Sequence, residues 1–162
     1  MKIQERINST NLDMSEIQVK AFFLGVLCAE KPLPFQKAFI ELLSETPEAK
    51  SELEVPFQSL WDQLSKNLKS ELEQMFPEEE DVNTFMELAK DQLDFFLTGL
   101  SLSGTNSENC KDQAFAEFIE ELEDTVEDMD DFTSDAEASG EDGHDFKEFL
   151  LDIWKEFTSS KQ

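Results

Sequence analysis

Histidine, cysteine and basic residues are all scarce in this chain, and each shortage closes off a class of function. One histidine, His144, and two cysteines, Cys28 and Cys110, stand among 162 residues. A zinc site takes about four Cys, His or carboxylate ligands at short fixed spacings, and these three candidates lie far apart in sequence. Two cysteines make no disulfide framework, and Cys28 sits in an apolar run, where burial keeps a thiol inert. No metal, no cofactor and no Cys–His nucleophilic pair is therefore expected, and a reducing, cytoplasmic setting fits best. Long apolar runs are missing too. The longest, "AFFLGVLCA", is too short to cross a bilayer, and the N-terminal "MKIQERINSTNLDMSE" has no continuous apolar segment of the kind a secretion signal needs. The glycine motifs that cradle phosphates or dinucleotides are also absent.

The thirteen Lys and Arg are set against 38 Asp and Glu, a formal net charge of −25 at pH 7. A surface of that sign repels phosphate backbones, so direct nucleic-acid binding and docking on anionic membranes are not expected. Basic proteins, cationic peptides and divalent ions are the partners such a surface attracts. The chain is not compositionally disordered, because it carries 15 Phe and two Trp, large side chains that a fold of this length can bury.

Apolar residues recur at helical spacing almost throughout. After the capping residues of "STNLDMSE", Ile17, Ala21, Leu24 and Cys28, widened by Phe23 and Leu27, predict a buried helix from about Ser15 to Ala29. A second helix is expected to start at Pro34 and to bury Phe35, Ala38, Phe39, Leu42 and Leu43. "SETPEAKSELEVP" reads as a connector with a short helical turn, and from Pro56 a third helix presents Phe57, Leu60, Trp61, Leu64 and Leu68. Pro77 interrupts the pattern. Phe85, Leu88, Ala89, Gln92, Leu93, Phe96 and Leu100 then predict one long helix over about Val82 to Leu102.

A weak internal echo links "FFLGVLCA" to "FFLTGLSLSG", each with a glycine inside an apolar helix. There a glycine costs about 1 kcal/mol relative to Ala unless a neighbouring backbone must come close. Gly25 and Gly99 therefore read as close-packing points between helices.

The segment "EFIEELEDTVEDMDDF" places Phe118, Ile119, Leu122, Val126 and Met129 on one stripe with Phe115, so it reads as a core-facing helix with an acidic outer face. "TSDAEASGEDGHD" is expected to be a flexible acidic loop near 133–145, and the last helix to bury Phe146, Phe149, Leu150, Ile153, Trp154 and Phe157. The expectation is an all-α, single-domain helical bundle of about six to seven helices.

Two spacings in the acidic loop resemble metal motifs. Asp135, Glu137, Ser139 and Gly140 match positions of a calcium loop, but Phe146 stands where the bidentate Glu belongs. Glu141 and His144 have the Glu-x-x-His spacing of di-iron bundles, which need that pair twice and on inward-facing helices.

With the helices placed, the chain resembles the YecA/YgfB-like family of small bacterial proteins. "FFLGVLCA" is similar to the family's Phe-x-x-Gly-Leu-Leu-Cys helix, "LWDQLSKNL" with "MFPEEED" to its central helix and Pro-acidic turn, and "FFLTGLSL" to its Phe-Leu-x-Gly-x-Gly-Leu helix. Lys20 and Ala21 stand where the family often has His-Gly, Gln92 where it often has Trp, and Ser101 where it often has a second Gly. The resemblance implies an all-α fold, often dimeric, with a regulatory or adaptor role and no established enzymatic activity. The Cys/His zinc module that some relatives carry is not carried over.

The acidic helix has the most functional leverage. From Glu108 to Asp145 there are sixteen acidic residues and one basic residue, Lys111. Pairs such as Glu117 with Glu121, Glu120 with Asp124 and Glu123 with Glu127 repel at i,i+4, a penalty that mixed signs would avoid. The expected contact surface for a basic protein is Glu117, Glu120, Glu121, Asp124, Glu127, Asp128 and Asp131, with Asp130 at its edge. The expected function is a non-enzymatic cytoplasmic regulator or adaptor. The alternative is an acidic chaperone or nucleic-acid mimic that fills the basic site of a DNA- or RNA-binding protein.

Overall fold

The computed structural model describes residues 3–76, 81–134 and 140–160; residues 82, 83, 130–134, 140–146 and 160 are described by backbone alone. Among the described residues there are eight α-helices, one 3₁₀ turn and no strand. The helices are α1 (Ile3–Asn8), α2 (Glu16–Cys28), α3 (Phe35–Leu42), α4 (Lys50–Lys66), α5 (Leu68–Glu73), α6 (Val82–Leu102), α7 (Gln113–Ser134) and α8 (Gly140–Ser160), with the 3₁₀ turn at Pro47–Ala49. The all-α bundle expected from periodicity is what forms. The count exceeds six to seven because α1 and α5 are single short elements that periodicity alone does not separate.

Local chemistry sets several boundaries. Ser15 caps α2 in a reciprocal box: its hydroxyl accepts from the Gln18 backbone N–H, and the Gln18 side chain accepts from the Ser15 N–H. Helix α6 ends in a Schellman turn. Thr105 N–H donates to the Leu100 carbonyl, Gly104 N–H donates to the Ser101 carbonyl, and Gly104 takes the left-handed conformation at φ 80°.

At the centre of the bundle α2 and α6 cross antiparallel with their backbones in contact. A Cβ built on Gly25 would overlap the Phe96 carbonyl oxygen and lie 2.9 Å from its carbonyl carbon. One built on Gly99 would overlap the Phe22 carbonyl oxygen and lie 2.9 Å from the Val26 nitrogen. Each helix thus presents a Phe-x-x-Gly step to the same step of the other, and the two glycines act as the close-packing points that the sequence suggested. On the α2 side Phe23 packs edge-on against Phe57 and Trp61, at centroid distances of 5.9 and 5.3 Å. On the α6 side Phe96 packs edge-on against Trp154 of α8 at 5.2 Å. Among the described residues the buried hydrophobic side chains other than Ile153 form one continuous cluster.

Polar ties fasten the short α5. The Trp154 indole N–H donates to the Leu72 carbonyl at 2.6 Å, and the Gln92 side-chain amide donates to the Met75 carbonyl. These are carbonyls of the last turn of α5 and of the residues just after it, where the helical ladder runs out; the Leu72 carbonyl also accepts from the Met75 N–H at 3.2 Å. On the other side Lys20 of α2 pairs with Glu71 at 2.7 Å.

Several sequence expectations need correction. Helix α4 begins at Lys50 and runs through Pro56 rather than starting there. An interior proline costs roughly 3 kcal/mol. Leu53, Phe57, Leu60 and Leu64 are all buried on one stripe across it, at about 1.5–3 kcal/mol each, so continuity wins. The same helix stops at Lys66, and Leu68 opens α5.

Of the loop expected near 133–145, Thr133 and Ser134 belong to α7 and residues 140–145 to α8, while residues 135–139 lie outside the described residues. Ile17 is 47% exposed, because the antiparallel register sets it opposite chain beyond the end of α6 at Leu102. Phe149 is 51% exposed, at the edge of the α8 stripe whose centre is Leu150, Ile153, Trp154 and Phe157.

Candidate functional site

Helix α7 holds nine acidic residues and no basic one in 22 positions, yet it folds against the core. Its five like-charge pairs at i,i+4 cost together roughly 1–2.5 kcal/mol. Ile119, Leu122 and Met129 are fully buried and each contributes about 1.5–3 kcal/mol, so packing holds the helix in spite of its charge.

The start of α7 is tied down by two carboxylates. Asp112 caps it, accepting from the N–H groups of Ala114 and Phe115 at 3.0 and 3.2 Å. Glu30, just beyond α2, accepts from the N–H groups of Lys111 and Asp112 at 2.9 and 3.1 Å. Its own N–H donates to the Thr105 hydroxyl, which links the end of α6 into the same corner. The Lys111 N–H, aided by that of Asp112, holds the Glu30 carboxyl below the usual glutamate range against some desolvation. Beside them the Cys110 thiol is pushed up, first by desolvation and then by the neighbouring Glu30 and Asp112 charges, so it is a poor nucleophile.

Six of the seven residues expected on the contact surface, Glu117, Glu120, Glu121, Asp124, Glu127 and Asp128, are exposed. None of these six pairs with a Lys or Arg among the described residues. Asp131, with Asp130, belongs to the last turns of α7, and their side chains lie outside the described residues. The structure divides the face. Glu117 and Glu121 stand on the edge toward α8, whereas Glu123 stands on the edge toward α6. Burial, reinforced by the charges of Asp124, Glu120 and Glu108, pushes the Glu123 carboxyl up.

Between α7 and α8 lies a cleft of about 420 Å³. Its floor is Ile153 and Phe157, both buried, with the half-buried Phe115 and Phe118 on one wall. The Phe118 and Phe157 rings stack at 4.0 Å and 9°, and Phe115 lies 5.8 Å from Phe157 at 15°. Glu117 and Glu121 of α7, Asp112 at its cap and Glu156 of α8 form the rim. Sequence reasoning found the first two and missed Glu156, because an acidic residue beside a core phenylalanine reads as a solvated helix face. The only available signal was that Phe157, its neighbour, belongs to the stripe α8 turns inward.

Among the described residues no group of three or more His, Cys, Asp or Glu is arranged to hold a metal ion. Asp135, Glu137 and Ser139 of the calcium-like spacing lie outside the described residues. Gly140 to Phe146 form the start of α8, so Glu141 and His144 stand on a helix and not in a loop. Cys28 is buried and Cys110 half-buried, and neither forms a disulfide. No helix among the described residues is long and apolar enough to cross a membrane. The chain matches no protein-family model, no curated protein and no solved structure.

Proposed function

We infer that this protein is a non-enzymatic cytoplasmic regulator or adaptor that docks a basic protein on the outer face of α7. The observation that carries the reading is the exposed row of Glu117, Glu120, Glu121, Asp124, Glu127 and Asp128 on a single helix, with no Lys or Arg partner among the described residues. The last turn of α7 contains no basic residue, so the negative end of the helix dipole adds to the same field. Such a face draws a cationic surface in by long-range attraction and sets its orientation as it docks, and the attraction weakens with salt. The similarity of "FFLGVLCA", "LWDQLSKNL" and "FFLTGLSL" to the YecA/YgfB-like helices supports an adaptor role, and it extends to homodimer formation, which sedimentation equilibrium reads directly.

The test is a pull-down from host lysate at low and high salt. It compares wild type with a variant carrying Gln or Asn at Glu117, Glu120, Glu121, Asp124, Glu127, Asp128 and Asp131. One basic protein retained by wild type at low salt, released at high salt and lost by the variant is the expected result. Identical capture by both proteins refutes the reading. Displacement of the captured protein by DNA or RNA identifies the alternative, an acidic mimic occupying a nucleic-acid site.

A further inference from the structure

The acidic face describes how a basic partner is attracted, but a uniform charged surface does not say which cationic side chain it prefers. The cleft between α7 and α8 does. We propose that it is the anchoring subsite of the docking face and that its occupant is an arginine side chain from a basic segment of the partner protein. The proposal rests on the docking face of α7 and adds to it a specific contact.

Three features of the cleft point to arginine. Phe118 and Phe115 lie nearly parallel to the buried Phe157, at 9° and 15°; Phe118 covers the Phe157 ring at 4.0 Å, so the aromatic surface partly open to solvent is that of Phe115 and Phe118. A planar guanidinium stacks on such a surface, whereas an ammonium is a compact, strongly hydrated point charge that gains less from it. Glu117, Glu121 and Glu156 stand on both walls, so forked N–H groups find carboxylates on either side. The volume of about 420 Å³ falls near the low end of the ~300–1,000 Å³ that ligand clefts span, which suits one or two side chains and not a folded element. Glu156 is the distinctive member, because it belongs to α8 and has no part in the outer face of α7.

The experiment is fluorescence anisotropy with the full chain and two labelled ten-residue peptides of equal charge and spacing, one carrying arginines and the other lysines. The arginine peptide is expected to bind about five-fold tighter, the factor equivalent to ~1 kcal/mol of cation–π attraction. Glu156→Gln and Phe118→Leu should each abolish most of that preference. Asp124→Asn with Asp128→Asn, on the outer face, should weaken both peptides alike and leave the preference intact. Phe118→Leu is interpreted alongside its thermal melt, and Glu156→Gln, at an exposed position, tests the cleft without touching the core. Equal affinity for the two peptides, or a preference untouched by Glu156→Gln, overturns the arginine subsite while leaving the docking face standing. Failure of both peptides to bind at low salt overturns the subsite and the docking face together.

Discussion

Replacing Gly25 by alanine tests the central packing idea, because the expected sign is opposite to that of an ordinary helix substitution. In a helix whose surface is open, Gly→Ala stabilises by about 1 kcal/mol through backbone entropy alone. At Gly25 the new methyl group would overlap the Phe96 carbonyl oxygen, which is part of the α6 backbone and cannot rotate away. The helices must move apart, which loosens the contacts of Phe22, Phe23 and Phe96 on both sides of the crossing. Overpacking costs about 1–3 kcal/mol when side chains can adjust, and a backbone obstacle puts the cost at or above the upper end. After the propensity gain is subtracted, the net loss is about 2 kcal/mol. In a chain of 162 residues each 1 kcal/mol moves the melting temperature by roughly 2–4 °C, so a fall of about 4–8 °C is expected. Thermal melts followed by far-UV circular dichroism measure it. Gly99→Ala should act in the same direction, and the double variant should lose less than the sum, because one separation relieves both clashes. A rise in melting temperature for Gly25→Ala would refute the close crossing outright.

Two further expectations concern polar groups. Trp154→Phe keeps the aromatic packing but removes the indole donor, leaving the Leu72 carbonyl with backbone donors alone, that of Met75 at 3.2 Å among them, so stability should drop by about 0.5–1.5 kcal/mol with an unchanged urea m-value; no measurable loss would show that the indole bond adds nothing to the backbone ones. The dependence of stability on pH should have a maximum on the acid side of neutrality. Glu123 has a raised carboxyl in the folded state, so its ionisation opposes folding, and stability rises as pH falls through that raised value. Glu71 and Glu30 behave in the opposite way. Glu71 is partly buried, which alone would raise it, but Lys20 and Gln63 outweigh that and hold it below the ordinary glutamate value of 4.5. Its stabilisation is fully present above that value and is lost as pH falls through its lowered one, as is that of Glu30. Urea denaturation across this range checks both limbs, and a stability that falls steadily from neutral to acid pH would contradict the Glu123 limb.

Much of this was legible in the chain. The limits of α2 and of α6 agree with the helical period to within a residue, because capping residues and a wide apolar stripe are both local signals. That Gly25 and Gly99 mark close approaches of helices could be anticipated from energetics, since a glycine tolerated inside an apolar helix needs a close neighbour to justify its cost; that they meet each other is set by the crossing of α2 and α6. What misled was punctuation. Pro56 and Gly140 resemble boundaries in the sequence, yet buried residues on either side of Pro56 carry α4 through it, and Gly140 opens α8 instead of prolonging a loop. Ile17 and Phe149 share the period of their neighbours but lie at the end and the edge of their stripes, a fact set by where partner helices stop.

The candidate site divides along the same line. Periodicity alone determined that α7 turns an apolar stripe inward and an acidic face outward, because side-chain direction on a helix follows from position in the chain. Which residues of that face gain a second wall was decided only by tertiary packing. Residues 35 or more positions apart in sequence, Glu121 and Glu156, share a rim because the stacking of Phe118 on Phe157 brings α8 alongside α7. Contacts of that kind depend on how two helices meet, and no spacing within either helix encodes it.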